Sequence, residues 1–304
     1  MPNLTNNHTG IPFTQVQMQD ALNQIKADIE NAIIMNGEAG KNALIRTQKP
    51  ISLIHDVIKT EFLNKDVHAS LINPELRRLQ RIANPPARVN NRPVVLKDKE
   101  LPLAGYLKTK KQDVSIIANN IHVNPEVLNF PTYLNGFTDN FGTAFTESVL
   151  SVNVRSQLSS VAKNFDTLYE RTFAEALNFH LRLPNMVLGE VYMIIAKEYD
   201  SAAAANNVVS FKNSEHIEKY ILAFQALNNR LTVADPQFKY EKIALLIVDF
   251  SKQIPKLYNT TQELIDDNLI PVGSVANIDN LSFNGFIDDL LQIYQERFPA
   301  NTFN

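Results

Sequence analysis

The chain has no cysteine, no tryptophan and only nine scattered glycines. Without cysteine there is no disulfide framework, no thiolate zinc site, no iron–sulfur centre and no cysteine nucleophile. The glycines form neither a Walker loop nor a dinucleotide fingerprint, so the common glycine-rich phosphate cradles are absent. Long apolar runs are missing as well. The most apolar stretch, Ile243 to Val248, falls far short of the roughly 18 residues a membrane span needs. The N-terminal segment lacks a basic-then-apolar pattern and a small-residue cleavage site, so the expectation is a cytoplasmic protein without a signal peptide. The histidines (His8, His55, His68, His122, His180 and His216) show no metal-ligand spacing. No Gly-x-Ser-x-Gly elbow marks a hydrolase nucleophile.

What remains is a globular composition, 304 residues of which 44% are hydrophobic, enough for one large domain or two small ones. The net charge of −3 conceals a segregation. Between Arg77 and Lys111 stand ten basic residues, Arg77, Arg78, Arg81, Arg88, Arg92, Lys97, Lys99, Lys108, Lys110 and Lys111, opposed only by Asp98 and Glu100. That segment carries +8, and the remainder therefore sums to −11. A basic stripe suits a polyanion, because each neutralised phosphate releases a counterion. A solvated, proline-interrupted linker would have the same composition.

Apolar periodicity predicts an amphipathic helix over 14–36, with Leu22, Ile25, Ile29 and Ile33 on one stripe. A second helix follows Pro50, and a short basic third one runs from about Pro74 to the Asn84-Pro85-Pro86 break. Past Pro102 the pattern predicts strands at 112–117, 148–157, 186–196 and 243–250. A long helix is expected over 160–182 and a closing helix over 286–298. The fold class expected is α/β, a central mixed sheet flanked by helices. The division expected is a helical N-terminal region, 1–92, and an α/β core, 93–304, within one continuous unit.

Chemistry-bearing groups concentrate on the strands and the helix between them. Asp113 opens a strand directly after Lys110 and Lys111, a carboxylate beside cations where a magnesium ligand is well placed. A strand-end aspartate satisfied by backbone N–H groups would look the same. Ser151, Asn153, Arg155 and Gln157 share one strand face opposite Val152 and Val154. That polar face belongs to a ligand cavity or to an edge strand with one wet side. On the long helix, Glu175 borders the apolar stripe with Asn164 and Arg171. A plain Arg171–Glu175 pair at i,i+4 would account for it. Lys163, Glu170 and Asn178 face the other way, where solvent is expected.

The run from Leu150 to Asn178 places an Arg155-Ser156 pair on a strand and Glu175-Ala176-Leu177-Asn178 on a helix. Followed by the strand Gly189-Glu190-Val191-Tyr192, it resembles type II restriction endonucleases of the PD-(D/E)XK nuclease superfamily. The strand–helix–strand portion is similar to the branch that cuts CCGG-type sites. Gly105 to Val114 resembles the first acidic strand of the same group, and the likeness covers about a third of the chain. The resemblance implies a nuclease core, Mg²⁺ held by acidic residues, and water attacking a scissile phosphate in double-stranded DNA. It also implies a homodimer reading a palindrome within a restriction-modification pair.

By position it implies Asp113 as the first metal ligand, although Gln112 stands where proline is common. The E-x-K motif is absent, its place taken by Ser151-Val152-Asn153. In the CCGG-type branch a helix glutamate supplies the carboxylate, here Glu175, with Glu147 as the rival second acid. The lysine would come from Lys163. Arg155, Ser156, Gln157, Asn164, Arg171, Lys110 and Lys111 are the DNA contacts this reading implies. The alternative is a DNA-binding protein that kept the fold and lost catalysis.

Overall fold

A computed structural model describes residues 17–75, 99–161, 163–214 and 216–303, with the backbone of two short strands, Leu4–Asn6 and Pro12–Thr14. The basic third helix expected near Pro74 and six of the ten stripe cations (Arg77, Arg78, Arg81, Arg88, Arg92 and Lys97) lie outside the described residues.

Helix α1, Met18–Arg46, buries Leu22, Ile25, Ile29 and Ile33 as its spacing predicts. It is longer than expected because it continues through a kink at Gly37 rather than ending there. Gly37 has φ 62 and ψ −151, and a Cβ at that position would stand 2.9 Å from the carbonyl oxygen of Ala204. Glycine is required on both counts. Asn207 Nδ2 donates to the Ile34 carbonyl at 2.8 Å, satisfying an acceptor next to the kink. Helix α2, Lys49–Asn64, follows after a short corner, with Pro50 in its first turn, where the missing N–H costs nothing.

The strands of the central sheet and its adjoining hairpin begin with β1 (Ile72–Asn73), the hairpin β2 (Leu101–Ala104) and β3 (Thr109–Gln112), then β4 (Val114–Ile117) and β5 (Val149–Gln157). Helix α3 (Phe165–His180) leads to β6 (Val187–Ile195), α4 (Ile217–Leu227), β7 (Lys242–Asp249), β8 (Lys256–Tyr258) and α5 (Phe286–Arg297). The six-stranded sheet has the order β8-β7-β6-β5-β4-β1. β5, β6 and β7 run parallel, whereas β4 is antiparallel to both β1 and β5, and β8 is antiparallel to β7. The fold is α/β, with a mixed central sheet flanked by helices.

Alternation assigns the two sheet faces. Val152, Val154 and Gly189 point to one side, where a Cβ on Gly189 would stand 2.8 Å from Leu290 Cδ1 and 2.9 Å from Phe286 Cζ of α5. Helix and sheet touch there because the strand residue is glycine. The opposite face carries Asn153, Arg155, Glu190 and Tyr192, and α3 and α4 cover it through Thr172 and Tyr220. Strand β5 lies between β4 and β6, so its polar residues do not belong to an edge. One apolar core joins Leu22 and Ile25 of α1 and Ile54 and Val57 of α2 to Val187, Leu245 and Leu290. The N-terminal region also contributes the edge strand β1, paired with β4. Among the described residues, no helix is long and apolar enough to cross a membrane.

Candidate functional site

Asp113 occupies the single-residue bend between β3 and β4. The register Val114↔Val152 places it opposite Asn153, and Asn153 in turn pairs in register with Glu190 on β6. One carboxylate on each side of β5 therefore shares a face with Arg155, two residues further along. Asp113 accepts the Val154 N–H through Oδ2 at 2.7 Å, and its own N–H donates to Asn153 Oδ1 at 3.4 Å. Asn153 Nδ2 donates to Gln112 Oε1 at 3.0 Å. These bonds hold the bend against the neighbouring strand.

Arg155 is the hub. Its Nη1 donates to Glu190 Oε1 at 2.6 Å and to Thr172 Oγ1 at 3.0 Å, and its Nη2 contacts Glu175 Oε2. Lys110 Nζ contacts the same Glu175 oxygen from the hairpin. Thr172 and Glu175 reach one spot because residues three apart share a helix face. Tyr240 donates to the Thr172 carbonyl at 2.8 Å and fixes that turn of α3 from behind. Glu175 is therefore bonded to Lys110 and Arg155, not to Arg171.

The electrostatics follow from burial. Burial pushes the Glu190 carboxyl up to about 8, although Arg155 pulls the other way. Burial also raises Asp113, against the Val154 N–H and the Lys110 charge, and Glu175 adds to the rise. Burial works against the Arg155 charge, yet Glu190, with Tyr240 and Glu175, holds the guanidinium well above its ordinary value. Three carboxyl groups thus stand near two cations, with Glu175 bonded to both Arg155 and Lys110 and Glu190 to Arg155. Glu175 Oε1 and Glu190 Oε2 are both buried without a hydrogen-bond partner, which is costly unless something else binds them.

A cleft of about 310 Å³ opens beside this cluster. Asp113, Val154, Arg155, Ser156, Leu158 and Leu168 line one side. Ile45, Arg46, Gln48, Pro50, Ile51 and His55, at the corner between α1 and α2, line the other.

Of the candidate site residues singled out in the sequence, Asp113, Glu175, Arg155 and Lys110 come together, and Ser156 lines the cleft with Asp113 and Arg155. The remaining six do not join them. Glu147 accepts from Asn185 N–H at 2.9 Å and Asn185 Nδ2 at 3.1 Å, ahead of the first residue of β5. The first residue of the strand, Val149, already lies roughly 20 Å along it from Arg155, at ~3.3 Å per residue. Lys163 was expected on the helix, but the helix begins at Phe165, and Lys163 is exposed in the preceding turn. Asn164 is an exposed N-cap residue and Arg171 is exposed on the outer face of α3. Lys111 is exposed because the hairpin alternates and turns Lys110 inward instead. Gln157 is buried, donating to the Ser160 and Val161 carbonyls at 2.8 Å and accepting from Tyr192 and Tyr220. It splints the end of β5. Asn178, placed in solvent by its helical angle, is instead buried, its side chain bonded to the Leu107 and Lys108 N–H groups at 2.7 and 2.9 Å.

Sequence reasoning missed Glu190. Its signal was a single carboxylate in an otherwise apolar strand, where an unpaired charge is too costly to be incidental. The α1–α2 corner carried no signal, since nothing local shows that a helical hairpin will wall a cleft.

No family model, no curated protein and no solved structure matches this chain.

Proposed function

We propose that this chain is a Mg²⁺-dependent, sequence-specific endonuclease acting on double-stranded DNA, of the type II restriction class its sequence resembles. The observation that carries this reading is the convergence of Asp113, Glu175 and Glu190 around Arg155 and Lys110 at the side of an open cleft. The cluster stands on a mixed sheet and uses the strand acid and helix glutamate that the resemblance singled out.

The donor chemistry fits a hard divalent cation: carboxylate oxygens, one of them on Glu175 buried and unpartnered. Among the described residues no three His, Asp or Glu side chains converge closely enough to hold an ion by themselves. Asp113 and Glu175 would hold the cation, and water and phosphate oxygens would complete its sphere, as is usual for magnesium. When bound, the metal supplies Lewis acidity toward the phosphate and lowers the pKa of the attacking water. The chain's own residues do the positioning. Arg155, tied to Glu190 and Thr172, keeps Glu175 in place and brings a fixed positive charge to a phosphate in the cleft. It stands two residues beyond Asn153, the residue that lies opposite Asp113 and occupies the place of the motif's lysine. Lys110 adds a second cation from the hairpin. A homodimer, with one cleft per strand, is part of the proposal.

The test is incubation of purified protein with plasmid DNA and magnesium. Discrete fragments are expected from the wild type. Asp113→Ala should keep DNA binding and lose cleavage by roughly 10²-fold or more, the usual cost of removing electrostatic support for the transition state. Undiminished cleavage by that variant rejects the site. A wild type that binds DNA without cutting supports the alternative, a nuclease-like DNA-binding protein. The observation favouring that alternative is that both arms of Arg155 are already committed to carboxylates.

A further inference from the structure

Of the cluster around Arg155, only Asp113 and Arg155 line the cleft, so their charges offset on that wall, and a polyanion is drawn in only if positive charge lies elsewhere along the rim. The opposite wall supplies that charge. Arg46 and Gln48, at the corner between α1 and α2, are exposed and line the cleft facing Asp113, Arg155 and Ser156. The neighbouring cation of the corner, Lys49, is spent in a 2.8 Å ion pair with Asp28. Arg46 has no ion-pair partner among the described residues, and its chemistry is otherwise accounted for only by the C-terminal end of α1.

The corner is also held still. Thr47 Oγ1 donates to the Leu44 carbonyl at 2.6 Å, and the Ser52 N–H to the Gln48 carbonyl at 3.1 Å. Gln48 itself sits at φ 58, a backbone region a glutamine seldom occupies. Behind it, Pro50 and Ile51 are buried against the wall. The last turns of α1, which lead into the corner, follow the kink at Gly37, where a Cβ would meet the carbonyl oxygen of Ala204.

We propose that the α1–α2 corner is a backbone-phosphate subsite for double-stranded DNA. Arg46 takes a phosphate on the strand lying along the cleft, and the Gln48 amide bonds an adjacent sugar or phosphate oxygen. This rests on the endonuclease reading for the class of ligand. The corner spans the cleft from Asp113, so its phosphate is one beside the scissile position rather than the scissile phosphate itself. Arginine suits the role because its planar fork matches phosphate oxygens.

The experiment is an anisotropy titration of a fluorescent random-sequence duplex with the full-length protein, in EDTA, across a series of salt concentrations. Arg46→Ala should lower affinity and make the plot of log affinity against log salt shallower by about 0.9, the value of one lost phosphate contact. Gln48→Ala should weaken binding at an unchanged salt slope, because it removes a neutral donor. Lys49→Ala should keep the wild-type slope, its charge being already paired. Both corner variants should keep the wild-type melting temperature, since Arg46 and Gln48 are exposed. A slope for Arg46→Ala equal to the wild type overturns the subsite and leaves the endonuclease reading standing. Equal reductions for Arg46→Ala and Lys49→Ala also overturn it, by showing only a general field of positive charge. A wild type that does not bind the duplex overturns the subsite and the endonuclease reading together.

Discussion

Helix α3 sends Glu175 and, five residues later, His180 into the interior, and the two enter ion clusters of opposite construction. His180 faces Glu241, whose carboxylate takes Arg230 at 2.8 Å and Arg297 at 2.7 Å on one oxygen. The other oxygen takes the Leu188 N–H at 2.8 Å and lies 3.4 Å from His180 Nε2. One buried carboxylate thus meets three hydrogen-bond donors, with His180 at ion-pair distance, and both its oxygens are occupied. Burial alone would raise Glu241, but His180, Arg297 and the Leu188 N–H hold it down to about 2. Around Arg155 the ratio is inverted: Glu175 and Glu190 share one guanidinium, each keeps a buried unpartnered oxygen, and Asp113 stands at the cleft beside them. The two clusters use the same helix and the same strand, Leu188 and Glu190 being two residues apart on β6. The Glu241 cluster satisfies its carboxylate from within the protein, whereas the Arg155 cluster leaves oxygens over, which the proposed endonuclease reading assigns to a ligand.

The largest effect should come from the saturated cluster. Glu241→Ala leaves Arg230, fully buried, with an uncompensated charge, which costs about 3–5 kcal/mol when a buried pair is broken from one side. Chemical denaturation measures it, and a loss below about 1 kcal/mol would put Glu241 in the same category as Glu175. Glu175→Ala should do the reverse. Arg155 keeps Glu190 and Lys110 can extend to solvent, so the stability change should stay near ~1 kcal/mol, while plasmid cleavage falls to background. A variant that unfolds as readily as Glu241→Ala would show that Glu175 is a structural group and that the comparison fails.

How much of this was legible in the sequence depends on where the signal lies. The central strands and α3 were readable from local periodicity, and α1 was readable apart from its extension, because Gly37 reads as a stop. Only the carbonyl of Ala204 and the side chain of Asn207, more than 160 residues away, make it a kink. Asp113 and Glu175 were found because a carboxylate beside cations and a carboxylate bordering an apolar stripe are both local patterns. Lys163 was misplaced by a helix start that cannot be fixed to within a few residues without its cap. Glu190 was overlooked because its meaning comes from the register of β6 against β5, a pairing that no local window contains. The same holds for Asn178, itself buried, whose partners lie in the turn of the hairpin 70 residues earlier.

Glu190 offers the finest separation between the two clusters, because its carboxyl and that of Glu241 depart from the ordinary value of 4.5 in opposite directions. A carboxyl raised to about 8 in the folded protein favours the protonated fold. Its contribution to stability is whole below about 4.5 and is lost as pH rises through about 8. A carboxyl held at about 2 contributes above 4.5, and that contribution is lost as pH falls through about 2. Of these two carboxyls, therefore, only Glu190 should tilt the stability profile between pH 5 and pH 9. Glu190→Gln keeps the shape of the neutral acid and its acceptor for Arg155, so at pH 5 it should match the wild type to within about 1 kcal/mol. Toward pH 9 the metal-free wild type should fall progressively below the variant in urea midpoint. Parallel profiles across that range would mean that Arg155 keeps Glu190 ionised throughout. Glu190 would then be a second Glu241, a carboxylate satisfied by its arginine, and the excess of oxygens that distinguishes this cluster would shrink to Asp113 and Glu175 alone.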